Sequence, residues 1–148
     1  MHWIGKGKTL LLYGARQTGK TTLCKEILLH FRDKGLFLDC EILYNREALS
    51  KPDDVVLKSL FQGKKLVVID EAQKVHNIGS VLKVIHDHLP EVQVIATGSS
   101  SFELSKYANE HLTGRAIEFH LYQLSITEIS TKYTILQLSS KIQDILKF

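Results

Sequence analysis

The feature that most constrains this chain is Gly14-Ala15-Arg16-Gln17-Thr18-Gly19-Lys20-Thr21, which follows the apolar run Thr9–Tyr13 and opens a helix-forming stretch. It has the full G-x-x-x-x-G-K-[ST] spacing in the strand-to-helix setting that this motif requires. Glycines at 14 and 19 let the backbone turn tightly enough to aim successive N–H groups inward. The N-terminus of the following helix adds its partial positive charge to the same nest. In such a loop Gly14, Ala15, Arg16, Gln17, Thr18, Gly19, Lys20, Thr21 and Thr22 surround phosphate. Lys20 reaches the β- and γ-phosphates, and Thr21 gives its hydroxyl oxygen to Mg2+. A glycine-rich turn without a ligand has no use for Lys20 and Thr21 together.

Short apolar runs alternate with longer amphipathic stretches, the pattern of strands feeding crossover helices in an α/β sheet. Five strands are expected, at Thr9–Tyr13, Leu36–Asp39, Lys65–Ile69, Val92–Thr97 and Ala116–Leu121. The third and fourth are dense in β-branched residues, as suits central parallel strands covered on both faces. In the fifth, Ala116, Glu118 and His120 alternate with Ile117, Phe119 and Leu121, which puts it at or near an edge. A helix is expected over Lys20–Lys34 with Leu23, Ile27 and Leu28 inward and a left-handed cap at Gly35. Further helices are expected over Val55–Phe61, Ile78–Leu89 and Phe102–Asn109. The stretch from Thr134 to Phe148 has the spacing of one more amphipathic helix.

Lys65–Ile69 ends in Asp70 and Glu71. Successive side chains point in different directions there, so Asp70 can hold the Mg2+ water shell while Glu71 polarises an attacking water. Two acids in isolation would also make a solvated turn; beside a complete phosphate loop the first reading is preferred. Thr97-Gly98-Ser99-Ser100-Ser101 follows the next buried strand at the carboxyl end of the sheet, where ligands collect in open α/β folds. Thr97 and Ser99 are the candidates to sense phosphate or water, and Ser101 the candidate helix cap. Arg115 stands just before the last strand, to meet phosphate in its own subunit or a neighbour's, or to pair at the surface. Trp3 either stacks on a base or packs against the sheet. His86-Asp87-His88 and the other histidines lack zinc spacing, so no metal beyond nucleotide-bound Mg2+ is expected.

Length and composition narrow the rest. The chain's 148 residues suit one domain with a real core. A net charge of +3 with no long basic run gives no indication of nucleic acid. Cys24 and Cys40, far apart and outside any CxxC, read as reduced, buried thiols. No apolar stretch approaches the roughly 20 residues of a membrane span, and the N-terminus lacks a secretory signal. A cytoplasmic location is therefore expected.

With these motifs assembled, the chain resembles the prokaryotic AAA+ ATPases that pair an N-terminal P-loop domain of AAA_14 type with a C-terminal DUF4143 region. The likeness runs from about Thr9 to Glu128. It is carried by Tyr13–Leu23, Val68–Val75, Ile95–Ser101, Leu112-Thr113-Gly114-Arg115 and Leu121–Glu128. The resemblance implies a three-layer sandwich with a parallel sheet in the order 5-1-4-3-2, ATP as the preferred nucleotide, and Mg2+. It gives Lys20 and Thr21 the Walker A roles, Asp70 and Glu71 the Walker B roles, Thr97 or Ser99 that of sensor 1, and makes Arg115 a phosphate-sensing arginine. Three departures stand out: Ala15 where the family usually has Pro, only Met1–Lys8 ahead of the first strand, and no helical lid before Phe148. The expectation is a truncated member, with an ATPase domain at residues 1–130 and a helical tail at 131–148.

The expected activity is Mg2+-dependent ATP hydrolysis coupled to conformational change, catalysed with Glu71, Lys20, Thr97, Ser99 and Arg115. The alternative is a nucleotide-binding switch or adaptor with little hydrolysis. A small-molecule phosphotransferase would need an acceptor pocket and usually an arginine-bearing lid segment, which Arg115 alone does not supply, and DNA binding would need a partner domain. Partners are expected to be a protein client or a missing C-terminal domain, with possible oligomerisation.

Overall fold

β1 (Thr9–Tyr13), β3 (Leu66–Asp70) and β4 (Gln93–Gly98) are buried along their whole length. Each therefore reads as a continuous apolar run rather than an alternating one. The structure, a computed structural model, describes residues 5–51, 53–99, 112–125 and 127–128. The expected helix at 102–109, Ser100, Ser101, Trp3 and the tail at 131–148 lie outside the described residues.

With β2 (Gly35–Asp39) and β5 (Ala116–His120), the strands form one sheet in the order β2-β3-β4-β1-β5, every pair parallel. Read from the other edge this is 5-1-4-3-2, as the family resemblance implies. β5 occupies an edge: Glu118 and His120 are exposed while Ile117 and Phe119 pack inward.

Side-chain alternation splits the core in two. Leu10, Leu12, Leu66, Val68 and Ile95 meet Cys24, Ile27 and Leu28 of α1 (Lys20–Leu29) on one face. Leu11, Tyr13, Val67, Ile69 and Val94 meet the other face's helices, α2 (Leu43–Leu49), α3 (Asp54–Leu60) and α4 (Ile78–His88). Asp53 caps α3, its Oδ1 accepting from Val55 N at 2.8 Å and Val56 N at 3.2 Å.

Several expectations change. α1 stops at Leu29, because the chain has to reverse into β2. Arg32 takes the left-handed conformation (φ 49) and a 3-10 turn follows over Arg32–Lys34. Gly35 is extended (φ −90, ψ 148) and caps nothing in a left-handed way. Its missing side chain matters differently, since a Cβ there would sit 2.7 Å from Leu28 Cδ2. Leu23 is 41% exposed and Cys24 fills the inward position instead, because the buried stripe runs through Lys20, Cys24 and Ile27/Leu28. α2 was not expected at all: it buries only Leu49 and exposes Leu43 and Tyr44.

Candidate functional site

The carboxyl ends of β1, β3 and β4 lie side by side, so the loop after β1, the acids after β3 and the hydroxyls after β4 meet at one end of the sheet. The loop is shaped by its glycines for two separate reasons. Gly14 is pressed by the chain leaving β5: Leu121 N donates to Tyr13 O at 2.7 Å, and a Cβ on Gly14 would lie 2.3 Å from Leu121 O. Gly19 instead adopts φ 93, a conformation that costs glycine little, and its carbonyl accepts from Leu23 N in the first turn of α1. Gln17 is also left-handed, at φ 63.

Lys20 is 5% exposed and folds back over the loop, its Nζ donating to Gly14 O at 2.9 Å and Ala15 O at 2.8 Å. Thr18 Oγ1 donates to Ala15 O at 2.9 Å. The first turn of α1 carries no acidic residue of its own, which leaves its positive end open to an anion. A cleft of about 490 Å3 opens beside the loop, lined by Arg16, Gln17, Gly19, Lys20, Thr21, Thr22, Glu41 and Glu71.

Asp70, 5% exposed, is the hub of the acidic side. Its Oδ2 accepts from Thr21 Oγ1 at 2.8 Å, and its Oδ1 accepts from Thr97 Oγ1. Thr97 Oγ1 in turn accepts from Glu71 N at 3.2 Å. One buried threonine thereby fixes both members of the acidic pair. Glu71 itself is left-handed (φ 52, ψ 43), which turns its side chain out of the strand and into the cleft. Ser99 is tied in through Gln73, whose Nε2 donates to Glu71 Oε2 at 2.6 Å and to Ser99 Oγ at 3.4 Å.

Thus Gly14–Thr22, Asp70, Glu71, Thr97 and Ser99 come together. Arg115 does not join them. It precedes β5, whose Ala116 pairs with Thr9 at the start of β1, while the loop follows Tyr13. A five-residue strand separates them, roughly 16 Å. Arg115 there pairs with Asp87 of α4 through Nε at 2.9 Å and a second nitrogen at 3.3 Å. That bond holds the Asp87 carboxyl below its usual range. The expectation that Arg115 meets phosphate in its own subunit therefore fails on geometry.

The sequence reading missed Glu41 and Gln73. Glu41 lines the cleft and bonds Lys74 at 2.5 Å, a contact that lowers its carboxyl from the ordinary value, with Arg16 and Arg46 adding to the effect. No motif marks it. A second cleft of about 490 Å3 lies on the other side of the loop, lined by Gly14, Ala15, Thr18, His120, Leu121, Tyr122 and Gln123. His120 and Tyr122 stack there, with ring centroids 6.3 Å apart. The adjacency of β5 to β1 in the expected strand order was the available signal.

Cys24 and Cys40 are free and fully buried. Burial first, then nearby carboxylates, pushes both thiols up to about 12, so neither supplies a nucleophile at neutral pH.

The model of a family described as AAA domain, AAA_14, matches residues 6–130. Among solved structures, that of C. elegans PCH-2 is similar, with 21% sequence identity and a TM-score of 0.50. The match covers 86% of this chain and 40% of that one, and it speaks for the fold. No curated protein matches. Among the described residues no helix is long and apolar enough to cross a membrane.

Proposed function

The chain belongs to the AAA domain family AAA_14, a nucleotide-binding domain of ATPase type, and from that premise we propose that it hydrolyses ATP with Mg2+. The observation that carries this reading is the hydrogen-bonded chain Thr21–Asp70–Thr97–Glu71 beside Lys20. It sets a hydroxyl, a buried carboxylate and an outward carboxylate around one cleft, as phosphoryl transfer to water requires.

The residues fit the ligand. α1 presents its uncapped amino end to the cleft, where Gly19, Lys20, Thr21 and Thr22 line it. Thr21 and Asp70 would hold Mg2+, which accepts one or two protein ligands alongside phosphate oxygens and water. When bound, the ion neutralises charge on the phosphates. Lys20, now on two loop carbonyls, would leave them to meet the phosphates, with Arg16 in the same cleft. Glu71 accepts the proton of the attacking water, and Thr97 keeps Glu71 and Asp70 in register. The cleft of His120, Tyr122 and Gln123 is shared with Gly14, Ala15 and Thr18 of the loop and offers a base aromatic faces to stack on. Arg115, at the opposite end of the strands from the loop, is left a role toward the nucleotide of a second copy.

Lys20→Ala should abolish nucleotide binding in an equilibrium titration. Glu71→Gln should keep binding and stop single-turnover phosphate release. Equal release by the Glu71→Gln variant sinks the assigned base. The adaptor reading is favoured by one observation: among the described residues no arginine but Arg16 lines the phosphate cleft. Binding without release at every protein concentration would establish it. Release that rises with concentration supports the second-copy role.

A further inference from the structure

Gln73 belongs to the 3-10 turn Ala72–Lys74 that follows β3. Its amide nitrogen bonds the Glu71 carboxylate and the Ser99 hydroxyl together. Its amide oxygen is buried and has no hydrogen-bond partner among the described residues. We propose that Gln73 is a positioning residue that fixes the Glu71 carboxylate for proton abstraction and couples it to the end of β4. This rests on the ATPase reading above.

Three observations carry it. Glu71 is a left-handed, non-glycine residue, a conformation that side chains with a Cβ disfavour. The turn therefore imposes its side-chain direction, yet a glutamate has three rotatable bonds and wanders unless something holds its end. The 2.6 Å bond from Gln73 is that hold, short as expected of a donor facing a charged acceptor. The opposite amide orientation would set oxygen against carboxylate, so the nitrogen has to face Glu71.

The chemical type of the holding group matters as well. Lys74 is the next residue, but its ammonium goes to Glu41 at 2.5 Å. A neutral amide thus orients Glu71 without neutralising it, and donates to one carboxylate oxygen while leaving the other for a water. Finally, the buried amide oxygen meets no donor among the described residues, and leaving such a group unpaired is unfavourable. Gln73 is held in an orientation that its own hydrogen bonding does not favour, which marks a position set by the bond to Glu71.

The test uses the full chain with MgATP and two variants of similar volume: Gln73→Leu, which removes the donor, and Gln73→Glu, which replaces it by an acceptor. Single-turnover phosphate release should fall about 10- to 100-fold in both, the range expected when a catalytic group is misplaced. The dissociation constant for ATP should stay within about twofold. Release at the unsubstituted rate in the Gln73 variants, while Glu71→Gln is inactive, overturns the proposal and leaves the ATPase reading intact. So does a parallel loss of affinity and rate, the mark of a scaffold role. Full release by Glu71→Gln overturns the base assignment and with it both readings. Where Gln73→Leu does not fold, Gln73→Glu decides alone.

Discussion

Replacing Gly14 by Ala puts a methyl group 2.3 Å from Leu121 O and 3.0 Å from Thr18 Oγ1. Ordinary contact needs roughly 1 Å more than the first of these. Thr18 can yield by rotation, but Leu121 is main chain. Its N–H is committed to Tyr13 O at 2.7 Å, and the strand before it is paired with β1 at five positions. Relief therefore requires β5 to slide or the loop to lift. Overpacking of this kind costs about 1–3 kcal/mol, which for a chain of this size lowers the melting temperature by about 3–10 °C. Thermal unfolding followed by circular dichroism measures it directly. Nucleotide affinity should fall in the same variant, because the amides of the loop move with Gly14. Gly19→Ala is the control: nothing lies within 4 Å of its Cβ, and only the left-handed backbone (φ +93) resists. Its loss should come without displacement of β5. A Gly14→Ala chain that melts within about 1 °C of the unsubstituted one refutes the reasoning, since Leu121 would then be yielding freely.

Thr97→Val keeps the shape and deletes the hydroxyl that donates to Asp70 and accepts from Glu71 N. It should cost about 1–3 kcal/mol in urea unfolding and slow phosphate release, and unchanged stability would contradict the bridging role. The cysteines give a pH signature: their thiols titrate near 12 when folded against 9.0 as the ordinary value. The raised folded values mean that their contribution to stability is whole below about pH 9 and drains away as the pH rises toward 12, because only the unfolded chain gives up those protons. The urea midpoint should fall between about pH 8 and pH 10.5, and alkylation should require unfolding. Rapid labelling of the folded chain would show that Cys24 or Cys40 is accessible after all.

The phosphate loop and the acidic strand were legible because each is a local pattern: fixed spacing around Gly14 and Gly19, and an apolar run ending in Asp70-Glu71. The central strands were legible for the same reason, and β5 declared its edge position through Glu118 and His120. What escaped depends on distant partners. The end of α1 is set by where β2 must begin to pair with Leu66, so the left-handed turn falls on Arg32 and Gly35 lies extended. α2 has no apolar periodicity, being anchored by Leu49 and by Asn45 Nδ2 on Asp39 O at 2.8 Å. Arg115 stands in the right stretch of sequence, but at the amino edge of a parallel sheet rather than the carboxyl edge. Gln73 sits inside a stretch that resembles the family, yet only the left-handed backbone at Glu71 brings its amide round to the carboxylate.

The position of β1 in the sheet also sets an order of assembly. Its two neighbours are β4 and β5, so the strand that leads into the loop has no hydrogen-bonded partner until Leu10 meets Ile95 and Thr9 meets Ala116. During synthesis the residue that presses on Gly14, Leu121, follows the loop more than a hundred positions later. Loop closures of that length are slow, and sheets built on them fold late. The nucleotide cleft thus takes its motif from residues 14–22 and its shape from residue 121, so that a nascent chain cut short between them carries the motif without the site.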